Sequence, residues 1–122
     1  MKALQAEGWL VACLCAAWCG TCDDYRATFE RLARQHAGLR FVWVDIEDQS
    51  DALAPFDIDI ENFPTVLVAR GDELRFLGTL LPHAATLSRT LAAAREAVLV
   101  DQPAGWGRGL VARVREIGEA VP

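Results

Sequence analysis

The chain has 122 residues, a formal net charge of −5 and an apolar share of 52%. That length suits one domain, and that apolar share suits a single buried core. The acidic balance argues against a nucleic-acid partner or an anionic membrane surface, and no apolar run reaches the ~18 residues of a membrane span.

The start, MKALQAEGWLVACLCAAW, does not read as a signal peptide. Gln5, Glu7 and Gly8 interrupt it early, and cleavage after it would cut into a cysteine cluster. A cytoplasmic protein is expected. In a reducing cytosol structural disulfides are rare, so the cysteines should be catalytic, metal-binding or simply core.

Residues 9–15, WLVACLC, are a continuous apolar run that predicts a strand buried on both faces. The segment DDYRATFERLARQH that follows WCGTC has helical period, with Cys22, Tyr25, Phe29, Leu32, Ala33 and His36 on one stripe. Asp23 and Asp24 suit its first turn, and Gly38 suits its C-cap. RFVWVDI at 40–46 predicts a second strand, which completes a parallel, right-handed βαβ unit. EDQSDALAPFDI is polar, with at most a short helix stopped near Pro55. TVLVAR at 65–70 predicts a third strand. Gly71-Asp72 and the alternating ELRFL at 73–77 predict a hairpin, with Gly78 breaking the strand. A helix is expected from about 83 to 97, with Leu87, Leu91, Ala94 and Val98 on one face. After the loop DQPAGWGRG, a short amphipathic helix is expected on Leu110, Val111, Val114 and Ile117. Arg113, Arg115 and Glu116 fall on its expected solvated side. The expected division is 1–98 as a domain and 99–122 as a C-terminal loop and helix.

All four cysteines lie within residues 13–22, as CLCAAWCGTC. Cys19-Gly20-Thr21-Cys22 falls where a buried strand gives way to a helix. A sulphur at a helix N-terminus faces unsatisfied N–H groups and the positive end of the dipole, which favours the attacking thiolate form. Cys19 is therefore the expected nucleophile. Cys22, one turn deeper, is expected to reach Cys19 and resolve a mixed disulfide. Cys13 and Cys15 share one face of the strand and read most simply as small buried hydrophobes. A four-thiolate metal site fits the compressed C-x-C-x3-C-x2-C spacing poorly.

With WCGTC at a strand-to-helix junction and Phe63-Pro64-Thr65 before a strand, the chain resembles the thioredoxin family. The likeness covers residues 9 to about 97. It implies an α/β fold, with a mixed sheet of about four strands flanked by helices and an extra C-terminal helix. It implies thiol–disulfide exchange with protein or peptide disulfides through the Cys19/Cys22 dithiol, with no cofactor. A dithiol reductase would supply electrons. It also implies a cis Pro64 and a substrate groove formed by Trp18, Gly20, Thr21, Phe63, Pro64 and the segment around Gly78.

The chain departs from the family pattern in five ways. The family's first strand and helix are missing or very short. Thr21 replaces proline, which adds an N–H donor and implies a less reducing couple. Cys13 replaces a buried aspartate, which puts the acceptor of the Cys22 proton in doubt. Cys15 replaces an aromatic residue. Asp23 stands where lysine is frequent, and its charge opposes thiolate formation. Two other readings stay open: a non-catalytic interaction module, and a metal-binding or redox-sensing protein.

Overall fold

The structure is a computed structural model that describes residues 8–16, 19–56, 58, 60, 62–103 and 105–121. Its centre is β1 (Trp9–Cys15), in which every residue is buried. The run is apolar throughout because both faces of this strand are covered.

Helix α1 (Gly20–Gln35) returns the chain to β2 (Arg40–Asp45), which lies parallel to β1 with Cys13 opposite Trp43. A short α2 (Ser50–Leu53) and a 3-10 turn at Ala54–Phe56 follow. On the other side of β1 runs the antiparallel β3 (Thr65–Arg70), hairpinned to β4 (Glu73–Thr79). Helix α3 (Ala84–Glu96) and helix α4 (Arg108–Ile117) come next, then a two-residue β5 (Glu119–Ala120) antiparallel to β2. The described residues thus form a five-stranded mixed sheet in the order β4-β3-β1-β2-β5, flanked by helices.

Side chains alternate across β1, so the sheet has two cores. Trp9, Val11, Cys13 and Cys15 face Cys22, Tyr25, Phe29 and Leu32 of α1 together with Leu87 and Leu91 of α3. Leu10, Ala12 and Leu14 face Leu53 and the Leu110, Val111 and Val114 stripe of α4. Helix α4 therefore packs on its own domain and closes the second face of the sheet.

Four local expectations change. Gly78 does not end the strand. It pairs with Val66 inside β4, because a half-buried edge position tolerates a residue without a side chain. Val98 lies beyond the end of α3 and is exposed. The C-terminal segment does not stay helical to its end: α4 stops at Gly118, where a Cβ would lie 2.6 Å from Val42. Only glycine lets the backbone pass that close and lay β5 along β2. Arg115 is not merely solvated. Its guanidinium donates to the carbonyls of Gly8 and Gly71, while Arg113 donates to Ala52 at 2.7 Å. These bonds tie α4 to α2 and to the backbone at Gly8 and Gly71.

If α4 is part of the fold, Leu110→Ala, which opens a cavity in the second core, costs about 2–5 kcal/mol of stability. Urea denaturation followed by circular dichroism checks this. A change within error of zero would mean that the helix is a detachable tail.

Candidate functional site

The site grows from the carboxyl end of β1. The chain leaves Cys15 through Ala16, whose carbonyl accepts the Cys19 N–H at 3.0 Å. Cys19 is the N-cap of α1, with extended backbone (φ −90°, ψ 117°) and no side-chain cap bond. Its own carbonyl accepts the N–H groups of Cys22 and Asp23, at 3.1 and 3.2 Å. The helix thus starts at Gly20, and Cys22 falls on its inward face within the first turn.

The sulphurs are paired differently from the expected Cys19–Cys22 disulfide. Cys22 is bonded to Cys15, and Cys19 and Cys13 are free. The reason is geometric. Cys15 ends a strand whose odd-numbered side chains face α1, and Cys22 points from α1 back toward that strand. Their Cα atoms are 5.9 Å apart, within the usual disulfide range. Cys15 is thus not a simple core thiol, whereas Cys13 remains one, fully buried. The Cys13 and Cys15 sulphurs are 3.5 Å apart. A disulfide sulphur carries no hydrogen, so the Cys13 S–H is the donor of that pair.

Burial pushes the Cys13 thiol far above the ordinary thiol range, and the Arg26 charge offsets this only in part. Cys13 therefore stays protonated. Burial also raises the Tyr25 hydroxyl, with Cys13 adding to the effect. Among the described residues that hydroxyl has no hydrogen-bond partner. Cys19 is half-buried, whereas Cys15 and Cys22 are 1% and 2% exposed.

Of the other expected site residues, Gly20 and Thr21 are exposed at the start of α1. Trp18 lies outside the described residues. The Phe63–Pro64 peptide bond is cis. Pro64 directly precedes Thr65, which pairs with Leu14, so it stands at the same end of the sheet as Cys15 and the start of α1. Phe63 and Cys19 both pack against the first core. The Pro64 carbonyl accepts the Leu80 N–H at 3.1 Å, which fixes this wall to the end of β4. Gly78 lies farther along, lining a separate cleft of about 270 Å³ with Phe56, Ile58, Thr65 and Trp106.

An acidic groove of about 520 Å³ borders the disulfide. Ala16, Cys22, Asp23, Arg26 and Trp43 are among its walls, and Glu119 of β5 closes one side. Trp43 is half-buried here rather than fully in the core, with the Arg26 guanidinium 4.9 Å over its ring. Sequence reasoning missed this groove because β5 was not foreseen. Asp45 accepts the backbone N–H groups of Glu47 and Asp48, so it shapes its own loop. Among the described residues no group of three or more His, Cys, Asp or Glu is arranged to hold a metal ion.

The thioredoxin family model matches residues 2–93. Among curated proteins, thioredoxin-2 of Dictyostelium discoideum is 41% identical over 64 residues, covering 52% of this chain and 69% of that protein. The thioredoxin of Mycoplasma genitalium is 34% identical over 53 residues, 43% of this chain and 50% of that protein. Thioredoxin-1 of Caenorhabditis elegans is 30% identical over 63 residues, 51% of this chain and 53% of that protein. The chain thus spans about half the length of the latter two relatives. Among solved structures, Fasciola hepatica thioredoxin superposes with a TM-score of 0.63 at 20% identity, over 74% of this chain and 84% of that one. A chain of the ferredoxin:thioredoxin reductase–thioredoxin f2 complex gives 0.64 at 19%, over 77% and 83%. At those identities the likeness shows the fold.

In the oxidised protein, iodoacetamide under native conditions is expected to label Cys19 and to leave Cys13 untouched between neutral pH and about pH 9. Burial keeps Cys13 a thiol over that whole range, and only the thiolate reacts. Differential alkylation with a second reagent after unfolding, read by mass spectrometry, checks this. Comparable labelling of Cys13 and Cys19 would refute the burial argument.

Proposed function

The chain belongs to the thioredoxin family, and on that premise we propose that it is a thiol–disulfide oxidoreductase acting on protein or peptide disulfides, with Cys19 attacking and Cys22 resolving. The observation that carries this is the contrast between the two sulphurs. Cys19 is the accessible one, at the open start of a 16-residue helix, and Cys22 is buried one turn deeper on the same helix.

The reaction starts from the fully reduced protein. The Cys19 thiolate attacks one sulphur of the substrate disulfide, forming a mixed disulfide. The other substrate sulphur leaves as a thiolate and takes up a proton. Cys22 then gives up its proton and attacks the Cys19 sulphur. The Cys19–Cys22 bond forms, and the second substrate thiol is released. The substrate gains two electrons and two protons. Cys13 cannot accept the Cys22 proton because burial keeps it protonated, so that proton leaves by another route. The proposed route is the groove beside Cys22, which the Asp23 carboxylate also lines.

Gly20, Thr21, Phe63 and Pro64 are proposed to form the wall against which the substrate chain lies. Trp18 is assigned to that wall by its place in the WCGTC motif. A dithiol reductase returns the electrons. The ferredoxin:thioredoxin reductase named with thioredoxin f2 in the matched complex is one protein of that kind.

A second reading, a non-catalytic interaction module, is favoured by the engagement of Cys22 with Cys15. One assay separates the two. Reduced wild-type protein should catalyse insulin reduction by dithiothreitol, and Cys19→Ser should lose at least ~100-fold of that rate, since thiolate attack is the first step. Cys22→Ser should accumulate a mixed disulfide at Cys19, visible by intact mass. Failure of the reduced wild type to accelerate the reaction, or wild-type turnover by Cys19→Ser, would overturn the catalytic reading.

A further inference from the structure

Cys22 stands between two possible partners. It is bonded to Cys15, and it is one helical turn from Cys19, the sulphur at the mouth of the site. We propose that Cys22 is the pivot of two alternative disulfides, a sequestered Cys15–Cys22 bond and an exposed Cys19–Cys22 bond, interconverted by exchange within the chain. The buried pair stores the oxidised state, and Cys19 is its gate. The inference rests on the reading of Cys19 as a nucleophile, but it concerns a bond that substrate turnover does not require.

The exchange balances without an outside oxidant or reductant. Cys19 loses its proton to solvent and attacks the Cys22 sulphur. The Cys19–Cys22 bond forms as the Cys15–Cys22 bond breaks. Cys15 leaves with the electron pair as a thiolate and takes a proton back. One disulfide is lost and one is gained, so the oxidation level is unchanged.

Three observations support the gate. First, the stored bond is shielded, because both its cysteines are almost wholly buried and only Cys22 borders the groove. Second, Cys19 is the free cysteine with solvent access, and it caps the helix that carries Cys22 one turn away. Third, the leaving sulphur is provided for. The Cys13 S–H stands 3.5 Å from the Cys15 sulphur as a hydrogen-bond donor, so a Cys15 thiolate is born with a partner in an otherwise apolar site. The chain places a thiol, and not a carboxylate, beneath this bond. A carboxylate there would repel the departing thiolate, whereas a protonated thiol stabilises it.

The competing route, attack by Cys13 on Cys15, would release Cys22 directly. Cys13 is held protonated by burial and is a poor nucleophile, so that route is closed by the same burial that seals the site.

The test is linkage mapping with reduction kinetics. Chymotryptic cleavage after Trp18 separates Cys13 and Cys15 from Cys19 and Cys22. A Cys15–Cys22 bond then joins two peptides, and a Cys19–Cys22 bond stays within one. Oxidised wild-type protein, equilibrated and acid-quenched, should contain both linkages. Cys15→Ala should contain only Cys19–Cys22 and be reduced quickly by dithiothreitol. Cys19→Ser should contain only Cys15–Cys22 and be reduced at least ~10-fold more slowly than wild type. Absence of the Cys15–Cys22 linkage from both wild type and Cys19→Ser would overturn the proposal, as would equal reduction rates for Cys19→Ser and wild type. Insulin reduction by Cys15→Ala keeps the two readings apart. Activity there without any Cys15–Cys22 linkage in wild type sinks the switch alone. Both linkages present, with no activity in either protein, sinks the catalytic reading and leaves the exchange standing.

Discussion

The structure turns on the two-residue period of β1. A strand covered on both faces must send alternate side chains into two different cores. Odd positions from Trp9 to Cys15 therefore face α1, and even positions face α4. This is what brings sulphurs together. Cys13 and Cys15 share the face toward which Cys22 points, while Leu14 between them is directed away. Moving the cysteines by one residue would have put them beneath α4, out of reach of α1 altogether. The same alternation demands that something cover the second face, and α4 does so with Leu110, Val111 and Val114, anchored by Arg113 and Arg115.

The Cys15–Cys22 bond is one staple of the fold among several. The two cysteines are seven residues apart, and closing so short a loop is worth about 2.5 kcal/mol on the chain-entropy account. Burying one leucine of the α4 stripe contributes as much. The strand is already held by β2 on one side and β3 on the other, with α1 packed through Tyr25, Phe29 and Leu32. A segment so thoroughly fixed by packing does not depend on this bond alone, which leaves room for the bond to serve redox chemistry as proposed.

Much of this was legible in the sequence. The apolar run of β1, the helical stripe of α1 and the turn at Gly71 each carry a strong local signal, and the elements lie where that signal puts them. Leu110, Val111 and Val114 also announced α4. The partner of that helix was not legible, because an amphipathic stripe states that a face is buried without stating against what. The two residues of β5 carry no strand signal. They exist because Gly118 lets the backbone pass Val42, a tertiary contact. At the site, Cys19 and Cys22 were marked by their place at a strand-to-helix junction. The pairing of Cys22 was not, since WCGTC suggests a local ring and the competing sulphur is supplied by the packing of α1 on β1.

What the proposed exchange costs depends on which sulphur is left over. With Cys15 and Cys22 joined, the spare sulphur is Cys19, which has access to water. With Cys19 and Cys22 joined, the spare sulphur is Cys15, which lies in the first core among Val11, Phe29 and Tyr25, leaves as a thiolate and takes a proton back. Burying an unpaired charge is costly, and a single S–H donor from Cys13 offsets only part of that cost. That cost falls on the step that opens the buried bond, because the charge on Cys15 lasts only until the sulphur is reprotonated, so desolvation slows the opening. On the proposed exchange, solvation thus acts as a latch on the buried bond, and Cys19 is the sulphur through which that bond opens.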